Sequence, residues 1–280
     1  MAILAFVAAS SLLCAQETHT FTTVDVPGAI LTNANGINPQ GDIVGQYRDA
    51  TGAHGFLLTG GVFHSFDVPG ARATRPLIIN ALGDIVGWYI DATGRQRGFL
   101  LPAGAEEFLL IDIPDANVTH ALAINPRGQV VGRYVDAGGT SHGFLLSGEG
   151  LTIIDVPGAI FTGAVGINPA GEIVGRYDTP DGMVHGYVLS GGVVTTIDVP
   201  DALFTRALGI NPAGEVVGEY VDAEGALRGF LLSGGDFIPI DVPGALSTSA
   251  FWINPDGTIV GTYTDTDGSV HGFVADPQMF

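Results

Sequence analysis

The twelve residues GINPAGEIVGRY at 166–177 return almost unchanged as GINPAGEVVGEY at 209–220. No other feature limits the fold more. A unit of about 43 residues recurs along the whole chain: an Asn after Ile stands at Asn38, Asn80, Asn125, Asn168, Asn211 and Asn254. With the same spacings, an Asp opens an Asp-Val/Ile-Pro step at Asp25, Asp67, Asp112, Asp155, Asp198 and Asp241. A Thr precedes each Asn by six residues, from Thr32 to Thr248. A fixed period of this length marks a supersecondary unit that buries its faces only against its neighbours.

Each unit reads as four short strands. In one of them, TGAVGIN at 162–168 is followed by a tight NPAG turn, then by EIVGRY, HGYVLS at 185–190 and VVTTIDV at 193–199. Alternating β-branched and aromatic runs bounded by Gly, Pro and Asp are strand signals. Eleven of the 16 prolines fall at the two recurring turn or strand-end sites, where a missing N–H costs least. No helix is expected beyond the first fifteen residues. The ends are offset: HTFTTVDV at 19–26 is a fourth strand without its first three, and HGFVA at 271–275 is a third strand without a fourth. Pairing them removes the exposed edges of an open array. The expected architecture is therefore all-β: a six-bladed β-propeller of four-stranded blades, the ring closed by the N-terminal strand completing the last blade, in one domain over 16–280.

The units GINPQGDIVGQYRDATGAHGFLLTGG at 36–61 and GINPAGEIVGRYDTPDGMVHGYVLSGG at 166–192 resemble the HAF-type repeats of extracellular bacterial proteins. This chain carries Gly, as in His54-Gly55-Phe56, where the family name implies Ala. The resemblance spans nearly the whole chain after residue 15. It implies export and repetition and brings no site residues with it.

The net charge is −19, and the ten cationic residues are all Arg. A polyanion binds through a basic surface that releases counterions, so nucleic acid is not an expected partner. Residues 1–15, MAILAFVAASSLLCA, read as a secretory signal cut after Ala15, and twelve apolar residues are too few to span a bilayer. Cys14 is the only cysteine, so the processed chain has neither disulfides nor a thiol nucleophile. A monomer is expected.

Three constellations bear on function. A cation before each Gly-aromatic pair, at His54, Arg97, His142, His185, Arg228 and His271, faces an Asp at the end of the second strand in most units, such as Asp49 or Asp265. This predicts a structural contact across the hairpin rather than a metal site, because equivalent His lie on different blades. The acidic turns suggest calcium, best at Asp265 and Asp267, although one turn supplies few of the six to eight oxygens calcium takes. The third is the crossover before each first strand, where the units differ most. Arg72, Arg75, His120 and Arg206 gather there, with Trp252 as a stacking surface and Arg75 placed opposite Arg206. Forked guanidinium groups suit carboxylate or sulfate, so a small anionic or glycan-like ligand is expected at this rim. The other reading of these arginines is pairing with turn acids. Glu106 and Glu107 occupy a longer hairpin tip, and no catalytic motif is present. The expected function is an exported binding or scaffold module for such a ligand or for another protein. A polysaccharide hydrolase or lyase and a purely structural surface protein are the alternatives.

Overall fold

The computed structural model describes residues 19–278 and contains 24 strands with no helix among them. The expected signal at residues 1–15, with Cys14, lies outside the described residues. Strand β1 is His19–Val24. The first unit contains β2 (Leu31–Ile37), β3 (Ile43–Arg48), β4 (Ala53–Thr59) and β5 (Val62–Phe66). The second contains β6 (Ala73–Ile79), β7 (Ile85–Ile90), β8 (Gln96–Leu101) and β9 (Leu109–Ile111). The third contains β10 (Val118–Ile124), β11 (Val130–Val135), β12 (Ser141–Ser147) and β13 (Gly150–Ile154). The fourth contains β14 (Phe161–Ile167), β15 (Ile173–Asp178), β16 (Val184–Ser190) and β17 (Val193–Ile197). The fifth contains β18 (Phe204–Ile210), β19 (Val216–Val221), β20 (Leu227–Ser233) and β21 (Asp236–Ile240). The last contains β22 (Ser247–Ile253), β23 (Ile259–Thr264) and β24 (Val270–Pro277).

Within each unit consecutive strands pair antiparallel, and β1 pairs with β24 from His19↔Pro277 to Val24↔Gly272. The sheets nevertheless number three, of 16, 4 and 4 strands. Single parallel bridges, Ala53↔Ala73, Gln96↔Val118 and Ser141↔Phe161, tie a third strand to the next unit's first and merge four units into one sheet. The first strands touch in cyclic order: β2 meets β6, β6 meets β10, and so on to β22, which meets β2.

The repeated polar residues hold the turns. Asn125 Oδ1 accepts from the backbone N–H groups of Arg127 and Gln129, at 3.0 and 3.1 Å. Its amide donates to Gln129 and to the Asn168 carbonyl of the next unit, at 2.8 and 3.1 Å. Asn80 and Asn168 make the same inter-unit bond. The recurring Thr accepts a backbone N–H from the crossover, as Thr162 Oγ1 does from Val156 at 3.1 Å. All six such bonds are present. Buried polar groups are thereby satisfied while adjacent segments are fixed in place.

Phe56, Phe99, Phe144, Tyr187, Phe230 and Phe273 occupy one repeated position in the third strands and are almost wholly buried. They cross over the Gly of the second strand. A Cβ on Gly132 would overlap the His120 carbonyl oxygen and lie 2.7 Å from the Phe144 ring, so this position excludes a side chain.

Candidate functional site

Every first strand carries a β-bulge at the same place, between Ala34/Gly36, Pro76/Ile78, Ala121/Ala123, Ala164/Gly166, Ala207/Gly209 and Ala250/Trp252. A bulge leaves its extra residue out of the ladder and re-aims the side chain. The six extra residues, Asn35, Leu77, Leu122, Val165, Leu208 and Phe251, all line a single cavity of about 470 Å³. Two residues back, towards the crossovers, cross-strand pairs face each other: Asn33↔Gln46, Arg75↔Trp88, His120↔Arg133, Gly163↔Arg176, Arg206↔Glu219 and Ser249↔Thr262.

Charge at this level is one-sided. Arg133, Arg176 and Arg206 line the cavity together with Phe161 and Glu219. Arg206 donates to Glu219 Oε1 at 2.8 Å, and Glu219 is the only carboxylate lining the cavity among the described residues. Arg176 Nε lies 3.6 Å from Asp178 and stacks over Phe161 at 4.3 Å. Arg133 has no hydrogen bond or ion pair among the described residues; its guanidinium sits 5.9 Å from the Phe161 ring. Burial pulls the Arg133 guanidinium below its ordinary value. Burial does the same to Arg176, opposed by Asp178 and reinforced by the Arg206 and Arg133 charges. Glycine at 163 opens this cluster, since a Cβ there would lie 3.3 Å from Phe161 and 4.0 Å from Arg133. The Tyr187 hydroxyl donates to the Gly163 carbonyl from beneath, at 3.2 Å. Three partly desolvated guanidinium groups thus line a cavity whose one carboxylate among the described residues, Glu219, pairs with Arg206 alone, an arrangement that an incoming anion stabilises.

The sequence-derived candidates divide. Arg206 belongs to the cavity. Arg75 does not join it: it stacks over Trp88 at 4.6 Å, has a buried Nε without a partner, and lines a separate cavity with Gln46, Tyr47 and Arg48. Arg72 is exposed and bonds the Ala92 carbonyl. His120 is buried, stacked on Trp88 at 4.3 Å and bonded through Nε2 to Gln96 at 2.6 Å. Burial, with the Arg133 and Arg75 charges, pushes its pKa down to about 3, so it is neutral at physiological pH. Trp252 lies at the opposite end of the first strands, beside the Asn-Pro turns, where it lines a cavity of about 70 Å³. It is therefore not a stacking surface for the arginines. Pairing with turn acids, the other reading, does not describe them either: Arg206 pairs with a strand residue and Arg75 with no acid.

Sequence reasoning missed Arg133 and Arg176. The residue between Gly and Tyr of the second strands is as variable as the crossover: Gln46, Trp88, Arg133, Arg176, Glu219 and Thr262. Variation at an otherwise constant position was the available signal.

Five of the six outer cations bridge two acids, one more than expected, while His185 reaches Asp198 alone among the described residues. His54 Nδ1 lies 2.6 Å from Asp67 and Nε2 3.5 Å from Asp49; His142 reaches Asp136 and Asp155, and His271 reaches Asp25 and Asp265. Arg97 joins Asp91 to Asp112 in the same way. The His rings also pack on a Tyr, as His185 does on Tyr177 at 5.1 Å. The second acid in each case is the Asp of the Asp-Val/Ile-Pro step. In the acidic turn, Asp265 Oδ1 accepts from Asp267 and Ser269 N–H, and Oδ2 faces His271 at 3.2 Å. Asp267 Oδ1 accepts from Ser269 N–H at 2.9 Å. These oxygens are engaged in turn geometry, and the described residues contain no cluster of three or more His, Cys, Asp or Glu able to hold a metal. Glu106 and Glu107 are exposed.

No protein-family model matches the chain, and no curated protein does. Solved structures do. A mutant of AofleA from Arthrobotrys oligospora is 14% identical over 91% of this chain and 86% of that one, with a TM-score of 0.59. An Aleuria aurantia lectin mutant in complex with Fucα1-6GlcNAc is 12% identical over 90% of this chain and 93% of that one, with a TM-score of 0.55. TolB from Acinetobacter baumannii is 14% identical over 88% of this chain and 54% of that one, with a TM-score of 0.57. The chain thus has an all-β, propeller-like fold. No helix among the described residues is long and apolar enough to cross a membrane.

Proposed function

We propose that the chain is an exported, closed six-bladed propeller that binds a small anionic or glycan-like ligand in the cavity at its crossover face. Each unit is one blade, with β1 completing the last. The cyclic contacts of the first strands and the β1–β24 pairing support this architecture. The HAF-type repeat supports export. The observation that carries the binding reading is Arg133: a half-buried guanidinium on the cavity wall, without an acid partner among the described residues, in a row with Arg176 and Arg206. The solved lectin with a bound fucosyl disaccharide supports ligand binding on such a scaffold. Trp252, Arg72 and Arg75 have no part in this site, and Arg133 and Arg176 replace them.

The test is a thermal-shift screen of the purified protein against carboxylates, uronates, sulfated sugars and neutral fucose, repeated with Arg133→Gln and Arg176→Gln. A ligand at 100 times its Kd stabilises the native state by about 2.7 kcal/mol. The reading expects at least one anion to raise Tm in the wild type and not in either variant. No shift with any anion, or shifts that persist in both variants, refutes it.

A further inference from the structure

Beyond the guanidinium cluster the cavity becomes apolar, and this narrows the ligand class. Of the six bulge side chains that project into it, five are Leu77, Leu122, Val165, Leu208 and Phe251. The sixth, Asn35, already donates its amide to the Pro76 carbonyl at 2.8 Å. The bulge residue lies two positions beyond the rim residue, so this apolar collar begins about 7 Å below the arginines. The opposite side of the rim, at Asn33, Gln46, Ser249 and Thr262, is polar and uncharged. A sugar ring seated in the collar would leave most of its hydroxyls without partners, which is unfavourable once water is displaced. An alkyl or aryl group would instead cover apolar wall that water now touches.

We propose that the ligand is an amphiphilic monocarboxylate whose carboxylate sits at Arg133 and Arg176 and whose apolar body occupies the collar. This rests on the reading of the cavity as an anion site. The head group takes the N–H donors of Arg133, which has no acid partner among the described residues, and of Arg176, whose Nε faces Asp178 at 3.6 Å, beside the Phe161 ring on which Arg176 stacks. The tail is read by Leu122, Val165 and Leu208, on the same three units that supply Arg133, Arg176 and Arg206.

The experiment is calorimetric titration of the purified protein with acetate, butanoate, hexanoate and octanoate, with hexan-1-ol and glucuronate as comparators. Affinity is expected to rise about fourfold per methylene from butanoate upward, the factor that corresponds to about 0.8 kcal/mol per buried CH₂. Hexanol is expected to bind at least tenfold more weakly than hexanoate. Arg133→Gln is expected to lower octanoate affinity at least tenfold, and Leu208→Asn to flatten the chain-length series. Melting curves of each variant establish folding, and Arg176→Gln substitutes for Arg133→Gln if the latter is unstable. Anion binding that is flat with chain length, or glucuronate binding as tightly as octanoate, overturns the amphiphile assignment and leaves the anion site standing. Octanoate binding that survives both arginine substitutions also overturns it. If no anion binds at 10-millimolar order, both readings fall.

Discussion

Asn125 is the residue through which one unit grips both its own turn and its neighbour. Replacing it with Ala removes four hydrogen bonds at once. Their contributions differ. The N–H groups of Arg127 and Gln129 lie on a turn open to solvent, so water replaces the lost acceptor and each bond is worth about 1 kcal/mol net. The bond between the two side chains, Asn125 and Gln129, is partly exposed and adds little. The Asn168 carbonyl is buried but keeps the Gly171 N–H at 3.0 Å, so its loss is again about 1 kcal/mol. The sum is about 3 kcal/mol. For a chain of this size 1 kcal/mol moves Tm by about 2–4 °C, so Asn125→Ala is expected to lower it by about 6–12 °C. Asn125→Asp separates the two functions. It keeps the oxygen that accepts both turn N–H groups but turns the donor to the Asn168 carbonyl into a buried carboxylate oxygen facing another oxygen. It is expected to be at least as destabilising at pH 7, with the deficit shrinking as the pH falls into the carboxylate range. Differential scanning calorimetry across pH 4–8 reads both effects. An alanine variant within about 1 °C of wild type refutes the assignment of Asn125 as an inter-unit tie, and so does a wild-type-like aspartate variant at pH 7.

Three more outcomes follow from the geometry. The bond to Asp67 raises the His54 pKa above its ordinary value; at His271 the bonds to Asp25 and Asp265 outweigh burial and do the same. A raised folded-state value favours the charged form, so this stabilisation is fully present below the unfolded pKa of about 6.5 and is lost as pH rises through the raised values. The Tm deficit of His54→Gln/His271→Gln against wild type is accordingly larger at pH 5.5 than at pH 8.5; an equal deficit at both contradicts the charged pairing. Asp201, at φ 62°, stands where Gly28 and Gly244 occupy the equivalent left-handed turn position. Asp201→Gly relieves the Cβ clash and is expected to raise stability by up to about 1 kcal/mol, read from urea midpoints, whereas a loss refutes the strain. Finally, both Asp265 oxygens and Asp267 Oδ1 are already engaged in the turn, so millimolar calcium is expected to leave Tm where chelator leaves it. A calcium-dependent rise that Asp265→Asn abolishes shows the opposite.

The strands were readable because their constraints are local. The Asn-Pro-x-Gly turn and the recurring Thr are side-chain-to-backbone devices that need a given residue at a given offset, and so they repeat. The pairing of β1 with β24 was readable from the offset of the two chain ends. The cavity was less legible. Its lining comes from bulges, and strict alternation along TGAVGIN does not reveal that Val165 is the unpaired residue. The same extra residue at Phe251 separates Trp252 from the rim, although only three positions separate it from Ser249. Two of the three clustered arginines come from the second strands, and Arg133 and Arg176 meet Arg206 only through packing between units. The merging of four units into one sheet rests on single bridges between backbones, which no side-chain pattern encodes.

The most direct measurement is a crystal structure of the protein with whichever anion binds most tightly. The account predicts the acid group inside the cavity, with oxygens about 2.7–2.9 Å from guanidinium nitrogens of Arg133 and Arg176. An anion seated instead beside Arg75 and Arg48, or Arg133 found paired with a carboxylate of the chain itself, contradicts it.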